Sequence, residues 1–203
     1  MKRGLFVVLA LIFGVVSQVE AQKFSIGDKA VHTDVKMTDV TGAKYSIDDV
    51  KGENGVLMVF SCNSCPFVIK WEDRYNELKK YADQNKVGFI VLNSNCANRG
   101  TTESMEEMKK HAQEKGYQFP YVIDGGSKLA NALVAQTTPH AFLFDKEMKL
   151  VYKGVIDDNH ENASAVKTAY VKDAIKAISS GKNVAVAETK PMGCGIKRAQ
   201  ASL

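Results

Sequence analysis

Apart from one Cys-x-x-Cys, the chain has no cysteine or histidine pair at metal-ligand spacing, which excludes a zinc site of the usual two-pair kind. An excess of charge of one sign is missing as well. Twenty-seven Lys and Arg stand against 23 Asp and Glu, and the formal net charge of +4 is spread along the chain. So mild a balance points to neither nucleic acid nor a membrane surface as a partner. Internal repeats and low-complexity segments are absent, leaving one ordinary domain large enough for its own core. No apolar run reaches the ~20 residues needed to span a bilayer.

The long apolar run that is present reads as an address. Lys2-Arg3 is followed by the uncharged stretch from Gly4 to Val16, and Val19-Glu20-Ala21 offers small residues at the two positions a signal peptidase reads. With no cysteine near that point, a lipid anchor is disfavoured. The expected organisation is a signal peptide over residues 1–21, a domain over 22–181 and a charged tail over 182–203. Export to the periplasm or the medium places the four cysteines in an oxidising compartment, where disulfides persist.

The motif that carries chemistry is Cys62-Asn63-Ser64-Cys65-Pro66, directly after the apolar run Val56-Leu57-Met58-Val59-Phe60. A buried strand running into Cys-x-x-Cys and then a helix suits thiol–disulfide exchange. The first sulfur sits in the turn, and the second lies close enough to close or resolve a disulfide. Free N–H groups at the helix start stabilise a thiolate, and thiols in such motifs fall to about 3.5–7.5. Cys62 is therefore expected to be an exposed, largely ionised nucleophile, with Cys65 shielded. A purely structural bridge is a poor reading, because so short a ring removes only about 2 kcal/mol of chain entropy.

Around the motif the periodicities alternate. Val35–Val40 and Lys44–Ile47 flank Thr41-Gly42 as a hairpin. Phe67, Trp71, Tyr75, Leu78 and Ala82 stripe one helix, which Pro66 opens. Val87–Leu92 is a second buried strand. Thr102 is expected to cap a helix carrying Met105, Met108 and Ala112, with Gly116 at its end. Tyr121–Ile123 reads as a strand, Ser127–Ala135 as a short helix, and Ala141–Phe144 with Met148–Tyr152 as a strand pair. Val166, Ala169, Tyr170, Ile175 and Ile178 stripe a last helix. This order gives an α/β fold, a central mixed β-sheet flanked by helices, with an N-terminal β-hairpin extension.

Several segments together carry a resemblance. They are Phe60-Ser61-Cys62-Asn63-Ser64-Cys65-Pro66-Phe67 with Lys70-Trp71, and Leu92-Asn93-Ser94-Asn95. Thr138-Pro139, Gly154-Val155-Ile156-Asp157-Asp158 and Lys190-Pro191-Met192-Gly193-Cys194 complete the set. Over nearly all of residues 24–198 the chain resembles thioredoxin-fold proteins, specifically their exported, peroxiredoxin-like (AhpC/TSA-type redoxin) branch. The resemblance implies a cis peptide at Thr138-Pro139, with the Thr138 backbone open to pair with a client segment beside Cys62. Many relatives have His where Ser64 stands, so Asn63 and Ser64 are expected to tune the pair only as neutral groups, making Cys62 less acidic. The strand before the motif lacks the buried carboxylate of ordinary thioredoxins, and the proton-transfer residue is left unassigned. His140 is a candidate for tuning the sulfurs. For Cys96, at the end of the second strand, and Cys194, in the tail, one expectation is a mutual disulfide and the other is two unrelated thiols.

The expected function is exported thiol–disulfide exchange through Cys62 and Cys65, with no cofactor. Its partners would be client proteins bearing disulfides or thiols, and a redox partner that recycles the pair. Nucleic acid and stable membrane insertion after signal cleavage are not expected. A thiol peroxidase is one alternative, although the Pro and Thr that peroxiredoxins carry six and three residues before the reactive Cys are replaced by Val56 and Val59. A Cu(I) carrier using Cys62, Cys65 and His140 is another, since soft thiolates suit that ion.

Overall fold

The computed structural model describes residues 23–199. The signal-peptide expectation therefore lies outside the described residues. Among those described, no helix is long and apolar enough to cross a membrane.

The chain opens with a small antiparallel hairpin, β1 (Met37–Thr38) and β2 (Lys44–Tyr45), and a single turn of helix, α1 (Ile47–Val50). Ser46 and Asp49 close a reciprocal capping box at the start of α1. Then follow β3 (Val56–Ser61), α2 (Pro66–Trp71), α3 (Tyr75–Gln84), β4 (Gly88–Asn93), α4 (Met105–Glu114), β5 (Tyr121–Ile123) and α5 (Lys128–Ala132). The second half contains β6 (Thr137–Thr138), β7 (His140–Phe144), β8 (Leu150–Gly154), α6 (Tyr170–Ser179) and β9 (Cys194–Gly195). The central sheet has the order β5-β4-β3-β7-β8, with β3, β4 and β5 parallel, β7 antiparallel to β3, and β8 antiparallel to β7 and so running in the direction of β3.

β3 occupies the middle, and all six of its residues are buried. Its side chains alternate between two cores, as the period of two requires. Leu57 and Val59 join Trp71, Tyr75 and Leu78 of α2 and α3, Met108 of α4 and Ile175 of α6. Val56, Met58 and Phe60 join Phe24, Leu129, Leu133 and Phe142 on the other side. Each such side chain contributes about 1.5–3 kcal/mol by leaving water, so the edge at which β3 ends is held firmly.

Three boundaries differ from the sequence reading. The stripe from Phe67 to Ala82 is not one helix: a 3₁₀ turn over Glu72–Arg74 separates α2 from α3. At this turn Glu72 points inward, accepting from His111 Nε2 at 2.7 Å and pairing with Lys115 Nζ at 2.9 Å. Ser104, not Thr102, caps α4, its hydroxyl accepting from the Glu107 N–H. Thr102 is engaged elsewhere, its carbonyl accepting from Asn63 Nδ2 at 2.8 Å. The last helix begins at Tyr170 rather than Val166, because the Asp158 carboxylate ties down the N–H groups of Lys167 and Thr168, each at 3.0 Å.

The tail is part of the fold. β9 pairs antiparallel with β6, setting Thr138 opposite Cys194 and Thr137 opposite Gly195. Gly193 makes this approach possible: a Cβ there would stand 2.2 Å from the Thr138 carbonyl oxygen.

Candidate active site

β3 delivers Cys62 just beyond its C-terminal end, and Cys65 is the N-cap residue of α2, with Pro66 as first helical residue. β4 ends alongside in parallel, and β7 starts from the opposite direction, so the β3–α2 turn, the β4–α4 loop and the β6–β7 junction meet at one sheet edge. The Thr138–Pro139 bond in that junction is cis. Cys62 Sγ lies 3.2 Å from Thr138 Oγ1, and the Cys65 thiol donates to the Thr138 carbonyl at 3.0 Å. Thr138 thus touches both sulfurs.

Neither sulfur is open to solvent. Cys62 is 1 % exposed and Cys65 3 %, which corrects the expectation of an exposed Cys62. The expected acidity is corrected too. The neighbouring Cys65 sulfur, and then burial, push the Cys62 thiol well above the ordinary thiol range, while Thr138 acts in the opposite sense. Cys65 is drawn down by the Cys62 thiol, with further help from Cys194 and the Val68 N–H. The reason is geometric. α2 starts at Pro66, so its free N–H groups serve Cys65 rather than Cys62. Against this stands the Thr138 carbonyl, which only a protonated Cys65 can use. Of the two sulfurs, Cys62 is the one disposed to keep its proton.

Thr138 is fully buried, and its strand edge is taken by β9. The backbone that the sequence reading left open for a client is thus covered by the chain's own tail. Cys194 packs with Phe67 against Cys62, Cys65 and Val68. This corrects the expected Cys96–Cys194 bridge: all four cysteines are free, and Cys194 lies against the Cys62–Cys65 pair. Cys96 is engaged separately, 3.0 Å from Ser127 Oγ and accepting from the Ala199 N–H at 3.0 Å.

A residue that sequence reasoning missed holds the turn. Glu103, fully buried, accepts from the Asn63 N–H at 2.9 Å and from Ser64 Oγ at 2.7 Å. It also accepts from Asn93 Nδ2 at 2.6 Å. Asn63 Oδ1 accepts from Tyr121 Oη at 2.8 Å, and Tyr121 Oη accepts from Asn93 Nδ2 at 3.0 Å. Asn63 and Ser64 therefore face this polar network, and they position the Cys62–Cys65 turn through Glu103. The sequence reading sought a carboxylate on β3, whereas the fold supplies one from the loop after β4. No spacing in the sequence marks Glu103, since its partners in the Cys62–Cys65 turn lie 39–40 residues away.

His140 does not tune the sulfurs. Its Nδ1 accepts from the Gln136 N–H at 3.2 Å, and its ring packs on Phe142 with centroids 4.6 Å apart. Burial, with Lys153 adding to it, pushes its pKa down to about 3, so it is neutral. The copper reading loses its third ligand here. Among the described residues no three His, Cys, Asp or Glu side chains converge as metal ligands.

The comparisons with known proteins agree with this geometry. The model of the AhpC/TSA family matches residues 26–153. The thiol–disulfide oxidoreductase ResA of Bacillus thuringiensis (strain Al Hakam) is 30 % identical over 132 residues, 65 % of this chain and 70 % of that protein. An uncharacterized conserved protein from Geobacillus kaustophilus superimposes with a TM-score of 0.81 at 32 % identity, covering 89 % of this chain and 95 % of that one. The thioredoxin domain of a thiol–disulfide oxidoreductase from Bacteroides vulgatus aligns at 20 % identity with a TM-score of 0.55, covering 70 % and 96 % respectively. That last likeness shows the thioredoxin-like fold.

Proposed function

The chain belongs to the AhpC/TSA family, and we propose that it is a thiol–disulfide oxidoreductase working through Cys62 and Cys65. One observation carries this most directly: the two thiols share a buried pocket, both against Thr138, with no other role in packing that would require a Cys-x-x-Cys. As reductant, Cys62 passes its proton to the Cys65 thiolate and attacks a client disulfide, forming a mixed disulfide and releasing one client thiolate, which takes that proton from Cys65 in turn. Cys65 then attacks Cys62, closing the Cys62–Cys65 disulfide and releasing the second client thiolate. As oxidant, the same steps run in reverse. Because the sulfurs are buried, the tail must leave the Thr138 edge before a client segment takes its place.

The leader-like residues 1–21 support work in an exported, oxidising compartment, on client proteins and with a dithiol partner that recycles the pair. The peroxidase alternative is disfavoured by Val56 and Val59, which supply neither hydroxyl nor ring where peroxiredoxins have Thr and Pro.

Reduction of insulin disulfides by dithiothreitol tests the reading. The wild-type protein should accelerate it, Cys62→Ser should abolish the acceleration, and Cys65→Ser should accumulate mixed disulfides. Full activity in Cys62→Ser would end this assignment. Rapid thiol loss with sulfenic acid at Cys62 on mixing with hydrogen peroxide would move the peroxidase reading ahead. A reduction potential near about −270 mV would mark a reductant, and one near about −120 mV an oxidant.

A further inference from the structure

Resting on the oxidoreductase reading, we propose that Cys194 is a third redox cysteine, which takes Cys65 over from the Cys62–Cys65 disulfide. The tail brings this thiol to the pair by construction. β9 sets Cys194 opposite Thr138, the residue both active-site sulfurs touch. Its side chain packs against the cluster of Cys62, Cys65 and Val68. Gly193 permits the close backbone approach just before it. Beyond it the Ile196 N–H donates to the Gln136 carbonyl at 3.1 Å, the Lys197 N–H to Asn95 Oδ1 at 2.9 Å, and the Ala97 N–H to the Lys197 carbonyl at 2.9 Å. These bonds hold the Cys194 thiol beside the pair.

Exposure separates the three sulfur-bearing residues. Cys62 and Cys65 are buried, whereas Cys194 is partly exposed. A disulfide moved from Cys62–Cys65 to Cys65–Cys194 is thereby moved toward solvent. The step is an exchange. The Cys194 thiolate attacks the Cys65 sulfur, the Cys65–Cys194 bond forms and the Cys62–Cys65 bond breaks. Cys62 leaves as thiolate and takes up the proton that Cys194 gave. No electron enters or leaves. A dithiol reductant then reduces the Cys65–Cys194 bond, its own thiols becoming a disulfide. In the reduced protein, burial and the Cys65 sulfur keep Cys194 protonated. Oxidation of Cys65 removes that thiol neighbour, which favours the attacking thiolate when it is needed.

The test is disulfide mapping. Reduced Cys62→Ser is mixed with oxidised glutathione, acid-quenched at intervals, alkylated and digested, and wild type oxidised with one equivalent is treated in parallel. The Cys65–Cys194 peptide is expected in both, and in Cys62→Ser it should form at least tenfold faster than any disulfide to Cys96. Its absence from both proteins, with Cys194 recovered alkylated, overturns the proposal, and the wild-type arm stands if the variant does not fold. If wild type still accelerates insulin reduction in that case, this inference alone fails. If wild type does not, the oxidoreductase reading fails regardless of which disulfide forms.

Discussion

Gly193→Ala is the sharpest perturbation of the site, because it replaces no sulfur-bearing residue and no partner of Glu103. A Cβ at this position would sit 2.2 Å from the Thr138 carbonyl oxygen and 2.7 Å from its carbon. Both atoms belong to backbone, which cannot rotate aside, and the Gly193 φ of 156° lies at the limit that other residues rarely adopt. Overpacking of this kind costs about 1–3 kcal/mol. The tail is the weaker of the two partners, since β9 has two residues and pairs only with β6. The strain should therefore lift the tail rather than unfold the domain. If tail opening gates access to Cys62 and Cys65, a cost of about 1–3 kcal/mol raises the open population roughly 5- to 150-fold. Alkylation of the reduced protein by iodoacetamide at neutral pH, read by mass spectrometry at each cysteine, should accelerate by that factor at Cys62 and Cys65. Gly195→Ala is the control: a Cβ there meets nothing within 4 Å, so its rates should match wild type. Equal alkylation rates in Gly193→Ala, Gly195→Ala and wild type would refute the tail as the gate.

Two further outcomes are expected. Glu103→Gln removes a charge whose field raises the Cys62 thiol, so the pH profile of Cys62 alkylation should move to lower pH. The same change weakens charge-assisted bonds to Asn63, Ser64 and Asn93, costing about 1.5–3 kcal/mol in chemical unfolding, and an unmoved profile would remove Glu103 from the electrostatics of the pair. His140→Leu removes the acceptor of the Gln136 N–H and should cost about 0.5–1.5 kcal/mol at pH 7. The wild-type imidazole, with its pKa lowered to about 3, binds its proton more readily in the unfolded chain. Wild type should therefore lose stability relative to His140→Leu as pH falls from about 6.5 toward about 3. Parallel stability curves over that range would contradict a buried neutral His140.

What the sequence by itself determined is local or periodic. β3 is legible because six consecutive residues are buried on both faces and carry apolar side chains throughout except the last. The Cys62–Cys65 motif is legible because strand, turn and helix start follow one another without interruption, and the hairpin because Thr41-Gly42 interrupts two short alternating runs. The family resemblance rests on those same segments. Tertiary structure alone decided the rest, and in each case the partner is remote in the chain. Glu103 reaches Asn63 across 40 residues, and Thr138 meets Cys65 across 73. The helix stripe from Phe67 to Ala82 kept its buried face but was broken at Glu72, whose partner His111 lies 39 residues on. Cys194 lies in a charged tail with no apolar period to announce a strand. It becomes one because Gly193 lacks a Cβ and Thr138 presents an unpaired edge, two facts that acquire meaning only when the chain has brought them together. The acidity of the thiols followed the same rule. A motif names which residues can ionise, whereas burial and the placement of N–H, carbonyl and thiol neighbours decide where the proton is held.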